Sequence, residues 1–114
     1  MAEYIEQIKQ IGRRVGVSDL TLRNYEAAAN RLVLKAGQCN LSALLFSWRV
    51  FSGREEDIMD DARESVEAGK GTMADLYELS RVLDKQKLKL LDSVTDTTAE
   101  KCSCKWVLPL RRRL

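Results

Sequence analysis

The stretch GVSDLTLRNYE, Gly16–Glu26, holds a helix stop, a helix cap and a helix start side by side. Glycine reaches backbone conformations closed to other residues, so Gly16 can end whatever helix precedes it. Ser18 is a strong N-cap type, because its hydroxyl can accept from a free backbone N–H of the next turn. Upstream, Ile5, Ile8, Ile11 and Val15 recur at spacings of three and four, which predicts one apolar helix face over about 3–15. Downstream, Leu20, Tyr25, Ala28, Ala29 and Leu32 predict a second inward face from about Asp19 to Lys35, with Gly37 as its stop. Two helices meeting at this corner set the fold class as all-α.

The rest of the chain extends that reading. A third helix over about Leu41–Phe51 is apolar on most sides and must be largely buried. After Gly53, an acidic fourth helix over about Glu55–Ala68 carries a thin apolar line of Ile58, Met59, Ala62 and Val66. Gly69-Lys70-Gly71 reads as a break, and Thr72 as the cap of a last helix over about Met73–Val94. In that helix Leu76, Leu83 and Leu90 recur every seven residues and Leu79 takes the matching d position, but Gln86 and Ser93 take the next two. This is a short seam that a second copy or the chain's own core could cover, and a homodimer through Leu76, Leu79, Leu83 and Leu90 is the expectation. Strand signals are nearly absent. The expectation is a compact bundle of about five helices forming one domain over residues 1–96. A basic tail containing Cys and Trp follows over 97–114.

Length and composition fit one soluble domain of 114 residues. Histidine is absent, which removes the commonest general base and the commonest metal ligand. A Ser-His-Asp or Cys-His site cannot be built from this chain, so a non-enzymatic role without cofactor is expected. Cys39, Cys102 and Cys104 are an odd number and read as free thiols in a reducing compartment. Cys102 and Cys104 are at most half of a thiolate metal site. No apolar run reaches the length of a membrane span, about 18 residues. The N-terminus MAEYIEQIKQ also lacks the apolar core of a secretion signal. An intracellular protein, cytoplasmic or nuclear, is the expectation.

Charge is unevenly laid out. Residues 1–50 hold seven Lys/Arg against four Asp/Glu, residues 51–100 seven against thirteen, and residues 101–114 five against none. The two ends of the sequence therefore suit an anionic partner, while the acidic helix at 55–68 suits a protein partner. In the tail KWVLPLRRRL, Trp106 and its apolar neighbours stand beside Lys105 and Arg111–Arg113. That composition can grip phosphate and stack on a base, and it can equally lie on an anionic membrane surface.

Three families share features with this sequence. Gly16, Val17, Ser18, Thr21, Leu22, Arg23, Tyr25 and Glu26 match the recognition pattern of MerR-type regulators, and the segment resembles their helix-turn-helix. The likeness implies DNA binding, with Arg23 at base edges or phosphate and Tyr25 on the backbone. Arg13, Arg14 and Arg31 flank the stretch, and Ser18 and Thr21 sit at the helix start facing phosphate. The wing of that family is missing, because AAANRLVLKAG simply continues as helix. The spacing Ser18, Thr21, Tyr25 is similar to that in the helical DNA-clamping domain of tyrosine recombinases, without their catalytic domain. Leu44, Leu45, Trp48 and Gly53, with Thr72, Met73 and Leu76 later, resemble death domains. That likeness implies a signalling adaptor acting through protein–protein contacts. The leading expectation is a non-enzymatic nucleic-acid-binding regulator using the helix-turn-helix-like element, and the alternative is a helical adaptor.

Overall fold

A computed structural model of the chain describes residues 2–102, with side chains from Tyr4 onward. Four helices follow one another: α1 (Ala2–Val15), α2 (Asp19–Gly37), α3 (Leu41–Glu67) and α4 (Met73–Lys101). They run alternately down and up a bundle measuring 49 × 22 × 20 Å. The contacts between their ends establish this order. Ser65 near the end of α3 donates to the Gly16 carbonyl after α1. Arg14 near the end of α1 reaches Asp75 at the start of α4. Cys39 after α2 meets Cys102 after α4. α2 packs chiefly on α3, α1 chiefly on α4, and α4 only lightly on α3.

Helix starts follow their caps. Ser18, Asn40 and Thr72 each accept from the backbone N–H three residues on, at 3.1–3.2 Å. Each such cap contributes about 1 kcal/mol. Gly16 stands at φ +114°, and a Cβ built there would lie 2.8 Å from the Ser65 hydroxyl. Gly71 lets α4 begin against α1, since a Cβ there would lie 2.7 Å from the Val15 carbonyl oxygen. The turn between α2 and α3 instead gives its left-handed position, φ +56°, to Cys39.

The expected five helices are four, because residues 41–51 and 55–68 are one helix. Gly53 does not break it: a glycine inside a helix costs only about 1 kcal/mol against alanine. That cost is offset by burial of Phe51 before it and Ile58 after it. The last helix runs on past Val94 to Lys101, across the expected boundary at residue 96. Val94, Thr95 and Thr98 are buried there. Leu20, read as inward, is 62% exposed.

The expected leucine seam is corrected to core. Leu76, Leu79, Leu83 and Leu90 are all buried within the single chain. The free-thiol reading is also corrected, since Cys39 and Cys102 form a disulfide, with Cα atoms 5.5 Å apart. Two segments far apart in sequence are brought together by α3 and α4, and no local spacing announces that. Cys104 and the rest of the basic tail lie outside the described residues.

Gln86 occupies the d position between Leu83 and Leu90 and is wholly buried, yet neither end of its amide has a hydrogen-bond partner among the described residues. The hydroxyl of Tyr25 and one oxygen of Glu55 are likewise buried without partners. Leaving such groups unpaired costs about 1–3 kcal/mol each. Gln86→Met keeps the volume and removes both polar atoms. It should raise the urea midpoint by an amount equivalent to about 1–3 kcal/mol. A lowered midpoint would show instead that solvent satisfies the amide.

Candidate nucleic-acid interface

The residues singled out around the α1–α2 corner are held together but mostly occupied. Arg13 Nε donates to Asp19 at 3.1 Å. Arg14 spans two acids of α4, with Nε donating to Asp75 at 3.1 Å and Nη2 to Glu78 at 2.9 Å. The Ser18 hydroxyl caps α2 and lies 2.8 Å from the Thr21 hydroxyl, which donates to the Asp61 carboxylate at 2.9 Å. A recess of about 300 Å³ beside this cap is lined by Ser18, Asp61, Glu64 and Ser65, with Lys70 at its rim. The N-terminus of α2 thus already faces carboxylates. Each of these would repel a phosphate by about 1 kcal/mol at 4 Å even in full water screening.

Tyr25 lies in the core, on the inward face that the spacing of α2 predicts, and not at the surface contact that the MerR likeness implies. It is 1% exposed and packs on Phe51, with ring centroids 5.3 Å apart, and Trp48 continues the aromatic row at 5.8 Å from Phe51. Burial pushes its phenol well above the usual tyrosine range, and the Glu55 carboxylate pushes the same way. Glu55 itself is pushed up by burial, with Asp84 and Glu56 adding to the shift and Lys87 opposing it. The helical spacing in α2 gives Tyr25 its inward face but not what it packs on. Its partners Phe51 and Glu55 come from α3, which the α1–α2 pattern does not reveal.

The exposed basic groups lie further along α2. Arg23 and Arg31 are both exposed and, among the described residues, have no acidic partner. They are eight residues apart on the same side of the helix, about 12 Å along its axis. Between α2 and α3 lies a shallow cleft of about 200 Å³. Ala27, Ala28 and Val50 form its apolar lining, and Asn24, Arg31 and Arg54 its polar lining. Arg54 also touches Asp57 one turn on, at 3.4 Å. The alanines keep the floor low, so a flat or tetrahedral group can approach two guanidiniums and an amide. Sequence reasoning missed Arg54, whose role depends on α3 running unbroken beside α2.

The acidic part of α3 is solvent-facing at Glu56, Asp57, Asp60 and Glu64. Asp60 is paired to Arg63 at 3.2 Å. Among the described residues, no group of three or more Cys, Asp or Glu side chains is arranged to hold a metal ion. Among the described residues, no helix is long and apolar enough to cross a membrane. No protein-family model, curated protein or solved structure matches this chain.

Proposed function

We propose that the chain is a non-enzymatic nucleic-acid-binding protein whose contact surface is the outer face of α2 and its cleft with α3. The observation that carries this reading is the exposed, unpaired pair Arg23 and Arg31, with Arg54 beside Arg31 across the cleft. The contact differs from a helix-turn-helix entering a groove by its N-terminus, since that end of α2 is lined by Asp19, Asp61 and Glu64. Phosphate contacts by guanidinium groups favour affinity over sequence preference.

Labelled duplex and single-stranded oligonucleotides, followed by fluorescence anisotropy, test it. Binding at low salt should weaken at least about tenfold on raising salt to about 0.2 M, because phosphate contacts release counterions. Arg23→Ala and Arg31→Ala should each reduce the salt slope by about one, with melting temperature unchanged. Arg14→Ala, whose guanidinium is held by two acids, should leave binding as it was. No binding to either oligonucleotide at low salt would overturn the reading.

A second reading, a helical adaptor, is favoured by a separate observation. Met73 and Tyr77, 49% and 67% exposed, stand over an apolar groove between α3 and α4. Exposed apolar groups clustered over a groove are the usual mark of a protein-binding surface.

A further inference from the structure

α3 and α4 separate at one end of the bundle and leave a groove of about 420 Å³. Met59 and Val66 of α3 line one side, with Arg63 and Glu67 at its edge, and Met73 and Tyr77 of α4 the other. Methionine and tyrosine suit this role, because one adapts its shape and the other offers a rigid apolar ring. Beside it lies a second recess of about 260 Å³ that shares Met59 and is lined by Glu55, Glu56, Asp60 and Arg63, the last paired to Asp60. The trough is thus mainly apolar along one stretch and richer in carboxylates along the next, with Arg63 between them.

One segment of the chain has the matching composition. Residues 105–113, KWVLPLRRR, put Trp106, Val107, Leu108 and Leu110 immediately before three arginines. The apolar part suits the methionine–tyrosine groove, and the arginines suit the exposed carboxylate of Glu56, beside Asp60 and Glu55, which Arg63 and Lys87 already neutralise in part. Reach decides which molecule supplies it. Met73–Lys101 is a 29-residue helix, about 43 Å long, and the groove is at its start. Cys102 is fixed to Cys39 at the opposite end. Trp106 and Leu110 lie four and eight residues beyond Cys102, so even a fully extended chain carries them only about 14 and 28 Å. The tail of the same molecule cannot fill its own groove.

We infer that the groove between α3 and α4 receives the apolar-basic segment 105–113 of a second copy of this chain. The association would be reciprocal in a closed dimer, each copy offering one groove and one tail. Burial of Trp106 and Leu108 between Met59, Met73 and Tyr77 supplies the affinity, and the arginines set the direction in which the segment lies.

Sedimentation velocity on the full chain and two variants tests this. Tyr77→Glu spoils the groove at an exposed position, and Leu108→Asp spoils the tail. The unaltered chain should sediment as a dimer, and each variant alone should dissociate about tenfold more readily or more. An equimolar mixture of the two variants should recover association. In a mixed pair one groove and one tail remain intact and complementary. A dimer untouched by Leu108→Asp would mean that grooves pack against each other or against another surface, and would overturn the proposal. So would a monomer at all concentrations, or a mixture that fails to associate. Unchanged helical circular dichroism in both variants keeps loss of folding from imitating the expected result.

Discussion

Leu83→Lys should unfold the protein. Leu83 is 1% exposed and sits in the core among Leu79, Leu90 and the inner faces of the other helices. Removing a buried leucine side chain costs about 2–5 kcal/mol. The introduced ammonium would either stay charged away from water or lose its proton, and both cost further free energy. The total approaches or exceeds the whole stability of an ordinary domain, about 5–15 kcal/mol. Circular dichroism at 25 °C should show loss of most helix signal. Leu88→Lys, at a position 63% exposed in the same helix, should leave signal and melting temperature nearly unchanged. A folded monomer from Leu83→Lys would restore the leucine row to an intersubunit seam.

That contrast shows what the heptad pattern could convey. Spacing in α4 identifies Leu76, Leu83 and Leu90 as one buried face, and they are buried. Whether the covering surface belongs to the same chain or another is set by α1 and α2, which no periodicity within α4 encodes. Ser18 and Thr72 were legible as caps because capping is a contact across three residues. Gly53 misleads for a related reason. A glycine marks a stop only when the chain needs a left-handed residue there, and continuous burial on both sides of Gly53 keeps the helix going. At the basic surface, Arg23 and Arg31 are legible from the amphipathic pattern of α2. The capture of Arg14 by Asp75 and Glu78 is not, since those acids are 61 and 64 residues away. For Tyr25 the helical spacing points inward, as found, while the family likeness points to the surface; its partner Phe51 is legible from neither.

Reduction of Cys39–Cys102 should cost about 4 kcal/mol. The two cysteines are 63 residues apart. Closing a loop of that length removes much of the freedom of the unfolded chain, and the chain-entropy relation gives about 4 kcal/mol. The reduced protein should keep its helices, because the cores of α1–α4 do not depend on the bond. Its urea midpoint should fall by the equivalent of that amount. Cys39→Ser in the unreduced protein should reproduce the shift, and dithiothreitol should then add nothing. A midpoint indifferent to reductant would mean that the cross-link is not formed in solution. Cys39 also occupies the left-handed turn position, so Cys39→Gly should recover part of the loss, up to about 1 kcal/mol.

The cross-link also divides the chain mechanically. Residues 39–102 form a covalent ring containing all of α3 and α4, and α1 with α2 is an arm attached to it. A pulling force applied at the two ends of the polypeptide runs along the arm to Cys39, crosses the sulfur bridge and leaves at Cys102. The ring carries almost none of it. About 210 Å of contour, 63 residues at roughly 3.4 Å each, stays hidden from the force until the bridge is reduced. In an optical trap the oxidised molecule would therefore lengthen as though it were a chain of little more than fifty residues.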